Sequence, residues 1–196
     1  MTEKKYSDLN DLNEKSKSKL KSDLEKVVDE LKDTDFIKFR NLINNTLESL
    51  KISYESEQHQ KQRPKLGKQK GQHPIKPIRG EIYNALLGEK SGSELSGQHP
   101  VIVIQNDAGN LYAQKVIVIP IEGDGNKIDE SYMMKVNSED LEGTNKLTKE
   151  PSRLIISEIM TIDKARLGIK VGKLKKEKIK ELNQKVYNQI SLDKPL

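Results

Sequence analysis

His59, His73 and His99 are the only histidines in this 196-residue chain, and imidazole is the side chain whose ordinary pKa lies nearest neutrality. His99 stands apart from the other two. A small polar loop, Glu94-Leu95-Ser96-Gly97-Gln98, runs into it, and Pro100 follows. Beyond the proline comes a wholly apolar run, Val101-Ile102-Val103-Ile104, which closes in Gln105-Asn106-Asp107. An imidazole at the mouth of a buried strand can act as general acid or general base, and a carboxylate in the same cleft would complete an acid–base couple. A histidine before a proline in a polar loop is equally an ordinary turn residue. Tyr83 and Tyr112 could stack on a flat ligand, although Tyr83 alternates with Ile82, so one of the two is expected in the core.

Several chemistries are excluded at once. Cysteine is absent, which removes disulfides, thiol catalysis and cysteine-based zinc sites and fits a reducing cytoplasm. The three histidines are far apart, and no metal-ligand spacing such as His-Glu-x-x-His occurs. Neither a metal nor another cofactor is expected. No apolar stretch approaches 18 residues, and the N-terminus lacks the apolar core of a secretion signal, so neither a membrane span nor a leader is expected. Two Phe, six Tyr and no Trp are too few for a sheet of stacking aromatics.

The net charge of +5 is unevenly spread. Residues 61–80 carry 7 basic and no acidic side chains, whereas residues 81–196 carry 17 of each. The run Lys61, Arg63, Lys65, Lys68, Lys70, Lys76 and Arg79 could neutralise phosphates or could be a solvated linker.

The pattern divides the chain into three. In residues 1–60, Leu20, Leu24, Val27, Val28 and Leu31 recur at helical spacing; Asp33-Thr34-Asp35 supplies a break. Phe36, Phe39, Ile43, Leu47 and Leu50 form a second apolar face, and the pair is expected to make a helical hairpin that buries both faces against each other or a partner. Residues 61–77 are Gln-, Lys-, Gly- and Pro-rich and are expected to form a flexible basic linker, with His59 and His73 solvated nearby. Residues 78–196 hold candidate strands at Glu81–Leu87, Val101–Gln105, Lys115–Ile121, Tyr132–Val136 and Arg153–Ser157. Their short, regular spacing implies a compact antiparallel barrel in an α+β chain, with Pro120 at an edge or bulge. A last helix carries the stripe Leu174, Ile179, Leu182, Val186 and Ile190, with a lysine-rich outer face.

Five motifs in order give the third region a family likeness. Arg79-Gly80-Glu81-Ile82-Tyr83, Gly92-Ser93-Glu94, Gly97-Gln98-His99-Pro100, the strand ending in Gln105-Asn106-Asp107, and Ser152 through Thr161-Ile162-Asp163-Lys164-Ala165-Arg166-Leu167 together resemble the MazF/PemK toxin ribonucleases. The resemblance covers about residues 78–192. It implies an SH3-like barrel with a C-terminal helix, a homodimer, metal-independent cleavage of single-stranded RNA, and inhibition by a protein antitoxin.

In much of that family an Arg in Gly-x-Arg-Pro and a Thr ending the following strand contribute to catalysis. Here those positions hold His99 and Glu122. The pair His99 and Glu122 is thus the expected catalytic couple, and Arg79, Tyr83, Ser93, Glu94, Gln98 and Arg153 are the expected RNA-binding residues. What His99 lacks is the permanent forked charge of Arg, which Arg79 or Arg153 could supply. Two other functions stay open: a catalytically impaired module that binds RNA or protein, and a protein-targeting toxin of the gyrase-poison type. The Gly-Ser-Glu and Gln-Asn-Asp matches favour the ribonuclease.

Overall fold

A computed structural model describes residues 13–30, 36–66, 71–88, 94–123, 127–144 and 146–191. The chain divides into two compact units, residues 1–43 and 44–196. In the first, α1 (Glu14–Glu30) begins where the Asn13 side chain accepts the Ser16 amide at 2.8 Å, a standard N-cap. Its stripe is exposed, with Leu20 at 47% and Leu24 at 59% of full accessibility. The Asp33-Thr34-Asp35 break lies outside the described residues.

Helix α2 (Phe36–Gln62) extends past the expected end at residue 60. From Asn44 onward it belongs to the second unit, where Leu47 and Leu50 are exposed and polar groups make the attachment. The Ser56 hydroxyl donates to Asp163 at 2.8 Å, the Gln114 amide donates to Ser56 Oγ at 3.0 Å, and Arg63 donates to the carbonyl of Tyr112. The described part of the next segment is likewise held in place, because the His73 amide donates to Leu111 O at 2.7 Å. His73 is fully buried and meets His59 edge to face at 5.3 Å between ring centroids. This corrects the expectation that both histidines are solvated. The polar composition around His73 hides that its ring fills a gap beside the barrel.

The barrel uses β1 (Glu81–Leu86), β2 (Gln98–Val103), β3 (Lys115–Glu122), β4 (Met133–Val136), β5 (Ser152–Ile155), β6 (Met160–Asp163) and β7 (Leu167–Lys173). A short helix, α3 (Asp107–Tyr112), joins β2 to β3, and α4 (Lys176–Gln189) follows β7. All pairings are antiparallel, in the order β4-β5-β3-β2-β1-β7, with β6 beside the first half of β3. A bridge between Leu141 and Leu174 joins the two ends of this order and closes the sheet. Pro120 falls where β3 changes partners, after β6 stops at Val118 and before β5 begins at Ile121, so its missing N–H interrupts no ladder there.

Both faces of the central strands are covered, which explains their unbroken Val/Ile runs. Ile82, Ile102, Ile119, Ile121 and Leu154 form one core with Leu174 and Leu182 of the α4 region. Ala85, Val101, Val103, Val116 and Val118 form the other. Full burial of Leu182 contributes about 2 kcal/mol. Gly80, at φ +86°, lets β1 start directly under α4: a Cβ there would lie 2.6 Å from Ile179 Cδ1. Among the described residues no helix is long and apolar enough to cross a membrane.

Candidate active site

The strand pairing sets out one end of the barrel. β1 and β2 pair Asn84 with Pro100, Ala85 with His99 and Leu86 with Gln98. β2 and β3 pair Val101 with Pro120, and continuing that register brings His99 across from Glu122. β2 thus starts at Gln98, three residues before the apolar run suggested, and the "loop" histidine stands on a strand. A groove of about 340 Å³ opens here. Its floor uses Asn84, Gln98, His99 and Pro100, with Ile121 and Gly123 from β3. Leu147, Thr148, Lys149 and Ser152, from the β4–β5 connection and the start of β5, form a wall.

His99 is half-buried, and its Nε2 lies 2.9 Å from the carbonyl oxygen of Ser96. A carbonyl only accepts, so this contact assigns a proton to Nε2, which donates it to Ser96. Glu122 is held differently. Its Oε2 accepts from Arg153 Nη2 at 2.6 Å and from Arg153 Nε at 2.9 Å, across the β3–β5 register pair Glu122–Arg153. Arg153 Nη1 also donates to the Lys127 carbonyl at 2.8 Å. The guanidinium therefore sits on the carboxylate as a partly buried, forked partner, a strong arrangement. The neighbours of Glu122, Ile121 and Gly123, line the groove, while its own side chain turns to Arg153.

Of the residues expected to bind RNA, Gln98 lines the groove and Arg153 stands next to it through Glu122. Glu94 is exposed in the approach to β2, and Ser93 lies outside the described residues. Arg79 and Tyr83 are elsewhere. Arg79 donates to Asn183 of α4 at 2.7 Å, because the start of β1 packs under that helix. The Tyr83 hydroxyl donates to Glu81 Oε2 at 2.7 Å, and burial followed by that carboxylate holds the phenol well above its ordinary pKa. Burial alone would raise the Glu81 pKa; hydrogen bonds from Lys170, Tyr83 and the Ile78 amide bring it below the ordinary value. Arg79 and Tyr83 hold the barrel together at positions where the motif alone suggested ligand contacts.

The wall residues Thr148, Lys149 and Ser152 were not legible as site residues. They lie in a short polar connection whose composition matches any turn, and only closure of the sheet brings that connection over β3.

Residues 78–190 match the family of PemK-like, MazF-like toxins of type II toxin–antitoxin systems. The endoribonuclease MazF of Staphylococcus saprophyticus is 39% identical over 114 residues, which are 58% of this chain and 91% of that protein. Among solved structures, a mycobacterial endoribonuclease in complex with its cognate antitoxin aligns with a TM-score of 0.46 at 20% identity, over 61% of this chain and 98% of its own. MazF from Deinococcus radiodurans aligns with a TM-score of 0.49 at 13% identity, over 59% and 97%. Through residues 78–190 the chain belongs to the PemK/MazF toxin family.

Proposed function

We propose that this protein is a toxin-type endoribonuclease that cuts single-stranded RNA without a metal, acting in the cytoplasm as a homodimer and neutralised by a protein antitoxin. The observation that carries this reading is the placement of His99: it lines the groove, and Ser96 O anchors its ring through Nε2. Among the described residues the groove lining holds that one imidazole and no carboxylate, a poor donor set for a divalent cation but a suitable one for proton transfer.

Nδ1 of His99 removes the proton from a ribose 2′-hydroxyl. The 2′-oxygen then bonds to phosphorus, the bond from phosphorus to the 5′-oxygen breaks, and a 2′,3′-cyclic phosphate forms. The proton gained by His99 passes to the departing 5′-oxygen. The negative charge of Glu122, held in place by Arg153 beside the groove, favours the imidazolium between these steps. Gln98 and Asn84 offer neutral hydrogen-bonding groups for base or sugar edges.

Incubation of a long single-stranded RNA with purified, partner-free protein in EDTA tests this reading, with cut sites read by primer extension. Discrete cuts leaving cyclic phosphate ends are expected. A second reading, a binding module that has lost turnover, draws on the capture of Glu122 by Arg153. It would show as RNA binding with no cuts.

A further inference from the structure

We propose that Lys149 is the phosphate-binding cation of this groove, standing in for the permanent charge that position 99 lacks. The inference rests on the RNA-cleavage reading above and names a residue for it. Among the described residues lining the groove, Lys149 is the only one with a permanent charge, and none is acidic. Of these residues, an entering anion meets this ammonium and no carboxylate.

The side chain is positioned by construction. Its stem lies across Gly123: a Cβ at residue 123 would come within 2.6 Å of Lys149 Cδ and 2.7 Å of its Cβ. Only glycine leaves that space, so the stem is laid over the end of β3, one residue from Glu122. The backbone beneath is tied down from both sides. The Ser152 hydroxyl donates to the Lys149 carbonyl at 2.6 Å. Two residues earlier, Leu147 is buried in the core and its amide donates to Ser138 Oγ at 2.9 Å. Lys149 is exposed at its tip, and among the described residues its ammonium meets no carboxylate. A pinned stem with a free ammonium suits a ligand phosphate better than a solvated surface lysine does, because less side-chain freedom is lost on binding. Arg153, the other cation nearby, is already committed to Glu122.

The test uses the full chain and a single-stranded RNA oligonucleotide that contains a mapped cut site. Affinity and single-turnover cleavage are measured over a series of salt concentrations for wild type, Lys149→Met, Lys149→Arg and Gly123→Ala. One phosphate contact fewer reduces the slope of log affinity against log salt by about 0.7 for single strands. Lys149→Met is expected to show that reduction with affinity down about tenfold or more at moderate salt, as for one charge-assisted contact. Lys149→Arg is expected to restore the slope. Gly123→Ala, which displaces the stem and keeps the charge, is expected to weaken binding with an unchanged melting temperature. A Lys149→Met protein with wild-type slope and affinity overturns the proposal, even where wild type cuts RNA as expected. A reduced slope in a protein that binds but never cuts supports Lys149 and overturns the cleavage reading instead. Wild type that neither binds nor cuts overturns both.

Discussion

At the residue scale the site turns on how two side chains are held. His99 is anchored through Nε2 to Ser96 O, and Glu122 is clamped by Arg153. Removing one member of a partly buried ion pair leaves the other poorly solvated, so Arg153→Met is expected to lower stability by about 1–3 kcal/mol. Glu122→Gln, which removes the charge that favours the imidazolium, is expected to slow cleavage more than Arg153→Met, which keeps it. Chemical denaturation and single-turnover rates on the two variants check this. The sequence pointed to His99 because an apolar strand after a His-Pro step is a recognisable local pattern. It placed Glu122 only through a gap-free match to the family, and the strand pairing then put Glu122 against Arg153. Arg153 was expected from the sequence to bind RNA, but its pairing with Glu122 was not legible there, because it depends on strand residues 31 positions apart.

At the element scale, the end of α2 and the described residues 71–77 pack around α3, and this is where the chain departs most from its sequence pattern. His73 is fully buried, with Nδ1 3.0 Å from both the amide nitrogen and the carbonyl oxygen of Ile75. Lys164, also fully buried, donates to the Asn110 carbonyl at 2.6 Å. Burial, then the Lys164 charge, lowers the His73 pKa to about 4, with smaller contributions from His59 and Arg63 in the same direction. Burial, then Arg63, lowers Lys164 to about 8, and Asp163 opposes the shift. The signs follow. An unfolded His73 takes up a proton near its ordinary pKa of 6.5, and the folded one does so only near 4. Stability is therefore full above about pH 6.5 and falls between there and pH 4, by at most about 3 kcal/mol. Thermal melts of wild type and His73→Gln across this range are expected to diverge at neutral pH and converge in acid. For Lys164 the same logic places the gain at the alkaline end, with stability rising between about pH 8 and 10.5. At the other packing junction, Gly80→Ala is expected to cost more than about 1 kcal/mol, because it meets both a positive φ and the Ile179 side chain.

β3 carries the distance between these two regions. Its first residues lie by β6 and α3, and its last residue is Glu122. At about 3.3 Å per residue, its eight residues separate the α2 attachment from the catalytic end by about 23 Å. Strands β6 and β7 were missing from the sequence reading because Thr161-Ile162-Asp163-Lys164 looks like a turn and Leu167–Lys173 alternates with glycine and lysine. Pairing with β3 makes β6 a strand, and pairing with β1 makes β7 one. The unbroken Val- and Ile-rich runs of β2 and β3, bounded by turn residues, were strong enough to be read directly.

At the scale of the whole chain, the MazF-like part accounts for residues 78–190, and residues 1–43 form a separate unit. A protein lacking residues 1–43 is expected to keep the melting temperature and RNA cleavage of the full chain, since the barrel core, the α2 attachment and the groove all fall within residues 44–196. Loss of cleavage in that truncation would assign the first unit a part in the reaction. A cut at residue 78 is expected to behave differently, because it removes His73 and the helix end that covers α3 and Lys164. Amphipathic spacing made the helices legible. Their unburied stripes show that spacing alone does not say what a helix packs against.

The central claim is that His99 does the proton transfer in a groove that needs no metal. Its most direct test compares wild type with His99→Ala on one long single-stranded RNA in EDTA, both proteins showing the same melting temperature. The expected result is discrete cuts by wild type and a rate lower by about 10²–10⁴-fold in the variant, the usual contribution of a general acid–base group. Equal cleavage by the two proteins would contradict it.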